Sequence, residues 1–183
     1  MPEAIEITNM KNNSQDRDYV LKTVANEQGK LLEFADEKFQ DDREIVLAAV
    51  KNNPEALEFA SKRLKKDYEI VYESVSKLGW TYCYVDESLR DNKELMLAGL
   101  EKSGQILYFG STSLRDDKDV VKKAVENKPL IVKYASKRLR SDVDIAKIAL
   151  TKYKGCKEYL EPEVLKNKEI DLILNPPEEQ NNT

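Results

Sequence analysis

The sequence has no histidine, and only six glycines and two cysteines among its 183 residues. Without histidine, the commonest general base and the commonest metal ligand near neutral pH are both missing. The glycines form no phosphate-binding loop of the glycine-rich type. Cys83 and Cys156 lie outside any metal or redox spacing, which favours free thiols in a reducing compartment over a disulfide scaffold. We therefore expect a protein that is not an enzyme and that uses no cofactor and no metal.

Long apolar runs are also missing, and no stretch approaches the eighteen residues of a membrane span. Residues 1–10 lack the basic and apolar segments of a signal peptide. We expect a cytoplasmic protein, although secretion by a route without a signal peptide would leave no mark in the sequence. Because 30 basic residues face 34 acidic ones, the net charge of -4 does not favour nucleic acid or an anionic membrane as partner.

What the sequence does contain is an internal repeat with a step of 25 residues. An acidic residue recurs at this step at Glu44, Glu69, Glu94, Asp119, Asp144 and Glu169. An aromatic residue recurs at Phe59, Tyr84, Phe109, Tyr134 and Tyr159, and the series extends back to Phe34 if the first copy holds one extra residue. Six copies are therefore predicted, starting near residues 16, 42, 67, 92, 117 and 142, with a partial copy from residue 167.

Each copy has the pattern of a helical hairpin. It opens on Asp or Asn, whose side-chain oxygen can cap the free N–H groups of a helix start, at Asp16, Asp42, Asp67, Asn92, Asp117, Asp142 and Asn167. Apolar residues at helical spacing then predict a helix of about ten residues. Glycine or proline separates it from a second short helix, and a capped turn such as residues 61–64 links to the next copy.

One copy cannot bury enough apolar surface to fold alone, so the copies must stack. We predict an all-α fold, an α-solenoid of about six 25-residue helical hairpins over residues 16–174 with a C-terminal capping helix. Small residues, of which Ala49 is one, form a seam for close packing, and the aromatic series beside it is expected to be buried. Residues 1–15 are expected to be an irregular N-terminal lead-in that folds back over the first copy, and residues 175–183 a disordered tail.

The segments DREIVLAAVKNNPEALEFASKRLKKD and DKDVVKKAVENKPLIVKYASKRLRSD carry a resemblance to a known family. They combine Asp-x-Glu/Asp-Ile/Val with a downstream aromatic-Ala-Ser-x-x-Leu. This pattern resembles the tandem repeat of the domain of unknown function 4116 family, over about residues 16–174. The resemblance implies the helical-repeat fold but brings no activity and no functional residue.

Two sets of residues are not explained by the capping and apolar positions of the repeat, and they are candidate binding features. The first is a basic ladder, one cation for each linking turn, formed by Lys65, Arg90, Arg115 and Arg140. It could bind RNA or another polyanion. The favoured alternative is that these cations pair with nearby carboxylates such as Asp67, Asp91, Asp116 and Asp142. The acidic run that includes Asp116, Asp117 and Asp119 is itself explained by helix capping, so it predicts no metal site.

The second feature is a set of large residues at positions that are polar in other copies. Trp80, Cys83 and Tyr108 stand where other copies have residues such as Glu55, Glu58 and Lys133. They are therefore expected to be exposed side by side, extended by Tyr82, as a protein-binding patch. The alternative is that Trp80 covers its own hairpin beside Tyr68 or Tyr72.

The function favoured by these observations is a non-enzymatic protein–protein interaction scaffold. An RNA- or polyanion-binding repeat protein is the alternative, although nucleic acid is the less expected partner. The sequence identifies neither the partner nor the oligomeric state.

Overall fold

The computed structural model describes residues 4–26 and 28–177, and all regular secondary structure within these ranges is helical. The chain divides into two compact units, and the boundary between them lies between Lys102 and Ser103. We call them unit 1 and unit 2. Of the predicted tail, residues 175–177 follow the last helix, and residues 178–183 lie outside the described residues.

The described residues include eight longer helices. They are α1 (Ala4–Asn12), α2 (Arg17–Ala25), α3 (Arg43–Asn52), α4 (Tyr68–Lys77), α5 (Lys93–Leu100), α6 (Lys118–Asn127), α7 (Val143–Lys152) and α8 (Lys168–Leu174). Every predicted cap at the start of α2 to α8 is confirmed, because each Asp or Asn side chain accepts a hydrogen bond from a backbone N–H in the first turn. The regular step in the sequence is therefore a regular step of helix starts.

The second helix of each hairpin is a 3-10 helix of six residues. These helices are Gly29–Phe34, Pro54–Phe59, Gly79–Tyr84, Gly104–Phe109, Pro129–Tyr134 and Lys154–Tyr159. With three residues per turn, side chains three apart share a face. In Pro54–Phe59, Ala56 and Leu57 are buried, while Glu55 and Glu58 share the outward face. Each hairpin of this chain thus combines an α-helix with a 3-10 helix.

Linking turns follow the 3-10 helices, as predicted. They are Glu37–Gln40, Leu64–Lys66, Glu87–Leu89, Thr112–Arg115, Lys137–Arg140 and Pro162–Leu165. Within each unit, successive turns are joined by backbone hydrogen bonds, for example Asp86 N–H to Lys65 O at 3.2 Å and Ser136 N–H to Arg115 O at 2.9 Å.

The core lies between successive repeats of each unit. In α3 the inward residues Ile45, Val46, Ala49 and Val50 are fully buried. In unit 1, α2 packs on α3, α3 on α4 and α4 on α5, and in unit 2, α6 packs on α7 and α7 on α8. The 3-10 helices of each unit pack on their successors in the same way. Apolar surface is therefore buried against the same element of the neighbouring repeat.

The prediction that the aromatic series is buried is wrong. Phe34, Phe59, Tyr84, Phe109 and Tyr134 are half-buried and Tyr159 is exposed. These side chains lie at the edge of the inward face, because residues two and three positions earlier, such as Ala56 and Leu57 before Phe59, occupy the core.

The prediction of an irregular N-terminal lead-in is also wrong, because residues 4–12 form helix α1. The expectation that it folds back over the first repeat is confirmed. Met10 is fully buried, α1 contacts the 3-10 helix Gly29–Phe34, and Lys11 Nζ lies 5.0 Å from the centre of the Phe34 ring. Helix α1 therefore covers the apolar end of unit 1.

Candidate protein-binding surface

The outward face of the 3-10 helices presents the large side chains that the sequence singled out. Trp80 is 38% exposed and Tyr108 is 56% exposed. Leu130 occupies the position of Trp80 in a later repeat and is 39% exposed. The prediction that these positions face outward is confirmed for Trp80 and Tyr108, and Cys83 is half-buried. Trp80 and Tyr108 lie in different units.

Tyr82 does not belong to this surface, and its predicted place in the patch is wrong. Its side chain is fully buried, and its hydroxyl donates a hydrogen bond to the Arg90 carbonyl oxygen at 3.2 Å. Tyr82 occupies the position of the buried residues Leu57 and Leu107, 25 residues to either side. The repeat pattern alone therefore indicated a buried residue at position 82.

In unit 1 the polar and aromatic side chains of the outward face pair with one another. The Trp80 ring packs edge-on against Tyr84, with centroids 5.5 Å apart, while Tyr68 and Tyr72 stack on each other on helix α4 instead. Burial and a hydrogen bond to Glu58 raise the pKa of Tyr84. Trp80 thus covers its own hairpin, although beside Tyr84 rather than Tyr68 or Tyr72.

In unit 2 the outward face forms an open groove with a volume of about 460 Å³. The exposed Tyr108 ring stands edge-on to Phe109 at 5.1 Å and to Tyr134 at 5.0 Å. Leu130 and Ile131 supply the aliphatic part of the lining. The groove therefore offers an apolar, largely aromatic floor to solvent.

The charged residues that line this groove are both lysines. Lys128 and Lys133 are exposed, and Gln105 is the remaining polar residue of the lining. Lys133 Nζ lies 4.8 Å from the centre of the Tyr134 ring, in the range of a cation–π contact. The groove is thus positive and apolar at once.

The predicted basic ladder has a local structural role. Lys65 Nζ donates to the Glu58 carbonyl oxygen at 2.6 Å, and Arg90 Nε donates to that of Val85 at 3.0 Å. Arg140 donates to the Ala135 carbonyl oxygen at 3.0 Å and pairs with Glu161 at 2.6 Å. These cations therefore cap the C-terminal carbonyl groups of the preceding 3-10 helices.

Arg115 departs from this arrangement, because its buried Nε has no hydrogen-bond partner within the described residues. The expected pairing of the ladder with Asp67, Asp116 and Asp142 is wrong. Those carboxylates pair instead with Arg43, Arg138 and Lys118, in that order.

Sequence reasoning missed a second set of cations, which joins successive helix starts. Arg17 Nε lies 2.9 Å from Asp42, and Arg17 also pairs with Glu44. In unit 2, Lys118 pairs in the same way with Asp142 at 2.8 Å and with Asp144 at 2.7 Å. The available signal was a cation directly after the cap residue, one repeat before an Asp-x-Glu or Asp-x-Asp pair.

The chain matches the family described as domain of unknown function (DUF4116) over residues 16–65, 67–115 and 117–165. These segments cover most of the sequence. The chain belongs to the DUF4116 family. Each matched segment spans two of the 25-residue copies, so the DUF4116 unit is a pair of hairpins. No curated protein and no solved structure matches the chain.

The two thiols of this DUF4116 protein are poorly suited to nucleophilic chemistry. Burial raises the pKa of Cys83, an effect reinforced by Glu58, and burial alone raises that of Cys156. Within residues 4–26 and 28–177, no group of three or more Cys, Asp or Glu side chains is placed to hold a metal ion. In the same ranges, no helix combines the length and apolar character needed to cross a membrane.

Proposed function

We propose that this DUF4116 chain is a non-enzymatic protein–protein interaction scaffold, built as an α-solenoid, and that the groove around Tyr108 is one of its contact surfaces. The observation that carries the proposal is the exposed, lysine-flanked aromatic floor of unit 2. Exposed aromatic side chains that cluster in a concave surface are typical of interface hot spots.

The solenoid part of the proposal is supported by the packing inside each unit. Within each unit, successive α-helices contact one another, successive 3-10 helices do the same, and linking turns are joined by backbone hydrogen bonds. Repeat arrays of this kind expose long surfaces whose residues vary freely without disturbing the core. Scaffolds commonly use such surfaces for binding.

The proposal that the chain is not an enzyme is supported by the chemistry of its side chains. The sequence has no histidine, and both thiols have raised pKa values. The Asp42 carboxylate caps a helix start, and the Asp116 carboxylate forms an ion pair with Arg138. Because two free thiols favour a reducing compartment, we place the scaffold in the cytoplasm.

The test combines capture with reconstitution. The full chain is used to capture proteins from cell extract, and each captured protein is then purified and titrated against the chain. We expect a direct partner whose binding is lost in Tyr108→Ala. Tyr153→Ala serves as the matched control, because Tyr153 is 53% exposed in the same unit but does not line the groove.

Both variants should keep the melting temperature of the parent chain, since both side chains are exposed. Retention of every partner by Tyr108→Ala would refute the groove as a contact surface. Turnover of a substrate by the purified chain would refute the scaffold.

A further inference from the structure

We infer that the groove of unit 2 binds an acidic peptide segment that carries one aromatic or aliphatic anchor side chain. This inference rests on the proposed scaffold function and names the chemistry of its partner. It follows from two properties of the lining, which are an apolar floor and positive charge at its edges.

The apolar floor selects for an anchor side chain. Tyr108, Leu130 and Tyr134 leave aromatic and aliphatic surface open to water, although the equivalent hairpin of unit 1 carries Glu55 and Glu58 at the positions of Leu130 and Lys133. A phenylalanine or leucine side chain placed there would remove apolar surface of both partners from water. Tyr108 offers its ring edge and face for aromatic contact.

The charge of the lining selects for an acidic segment. Lys128 and Lys133 lie at the groove, and no carboxylate belongs to its lining. Carboxylates on either side of the anchor would meet these ammonium groups, whereas a basic segment would be repelled. A peptide with an apolar centre and acidic flanks therefore complements the groove.

A nucleic acid fits these observations less well. Two lysines at one groove neutralise few phosphates, and the net charge of -4 repels a polyanion. Lys65, Arg90 and Arg140 donate to backbone carbonyl groups. A peptide needs only local charge, so we favour it, and RNA becomes an outcome of the test.

The experiment begins with a random peptide library displayed on phage and selected against the full chain. Tyr108→Ala is used for counter-selection, so that only sequences that need the groove are retained. We expect enrichment of peptides in which aspartate and glutamate flank a phenylalanine, tyrosine or leucine. A synthetic peptide of that consensus is then titrated by fluorescence anisotropy.

We expect Tyr108→Ala to weaken this peptide about thirtyfold, as for an interface hot spot. The double variant Lys128→Glu, Lys133→Glu should weaken it about tenfold, and added salt should reduce that difference. The matched control is Lys122→Glu, Lys137→Glu, which changes the net charge equally at two exposed lysines outside the groove lining. It should change the affinity less than about threefold.

The possible outcomes separate this inference from the proposed function. Selection of neutral or basic peptides that still depend on Tyr108 would overturn the acidic class and leave the docking function standing. Absence of any peptide that depends on Tyr108 would overturn this inference alone, because the capture experiment decides separately whether the groove is a contact surface. Equal weakening by the two double variants would overturn the claim that Lys128 and Lys133 select an acidic peptide. Displacement of the peptide by a single-stranded RNA of the same length would overturn it as well.

Discussion

Units 1 and 2 are built from the same hairpin but differ in what its outward face shows to solvent. In unit 1, Trp80 packs against Tyr84, which is hydrogen-bonded to Glu58, and Glu55 pairs with Lys30. In unit 2, Tyr108 is 56% exposed and lies in the open groove beside two lysines. The inward residues of both units must pack against neighbouring repeats in the same way. The outward residues are free of this constraint, so binding surfaces can evolve there.

The largest expected difference is between two tyrosines. Tyr82→Ala should destabilise the chain by about 3–5 kcal/mol, because it empties a fully buried site and removes a hydrogen bond. Tyr108→Ala should cost about 0.5 kcal/mol, because its side chain is mostly exposed. Urea unfolding followed by circular dichroism measures both.

Tyr82→Phe is the control for the tyrosine pair. It keeps the ring and loses only the hydrogen bond to Arg90, so about 1 kcal/mol should be lost. A cost for Tyr108→Ala as large as that for Tyr82→Ala would mean that the open groove is a structural element.

A smaller difference is expected between the ladder cations of the two units. Arg140→Ala should cost about 2–3 kcal/mol, because Arg140 is half-buried and binds both the Ala135 carbonyl oxygen and Glu161. Lys65→Ala should cost about 1 kcal/mol, since Lys65 donates to one carbonyl oxygen. Thermal and urea unfolding give both values.

Arg140→Lys separates charge from geometry. A lysine keeps the charge but lacks the planar fork that reaches two partners, so part of the loss should remain. If Arg140→Ala left stability unchanged but reduced binding to RNA, the ladder would be a binding site after all.

The smallest effect concerns acid, and it should be the same in both units. Hydrogen bonds from Ser61 and Arg63 lower the pKa of Asp41, and Ser136 and Arg138 do the same for Asp116. A carboxyl group whose pKa is lower in the folded state adds stability above its unfolded pKa of about 4. That stability is lost as the pH falls through the folded value.

Unfolding titrations between about pH 5 and pH 2 test this expectation. Asp41→Asn and Asp116→Asn should each flatten the acid-induced loss of stability by similar amounts, because the two linking turns have the same contacts. An effect in only one unit would show that the turns are not equivalent. Glu126→Gln, which changes an exposed carboxylate on α6, is the control.

Much of the fold could be predicted from the sequence, because the residues that indicate it lie close together in the chain. Cap residues such as Asp42 and the apolar spacing of Ile45 and Ala49 predicted the α-helices, and the linking turns followed from a cap and an apolar residue three apart. The 3-10 form of the second helix was missed, although outward residues such as Glu55 and Glu58 are also three apart. The irregular lead-in was wrong because the weak apolar pattern of residues 4–12 becomes helical on packing against the first repeat.

The sequence by itself determined the repeat step, the caps and the helix starts, because each depends on residues within one or two turns of the chain. It also placed Trp80 and Tyr108 outward, through their polar counterparts in other repeats. Only the tertiary structure decided that Trp80 packs edge-on against Tyr84 and that Tyr108 is the more exposed of the two. It likewise decided that Arg140 caps a 3-10 helix and pairs with Glu161. The physical reason is that exposure and pairing depend on which side chains neighbouring segments bring into reach, and a repeat pattern does not specify those distances.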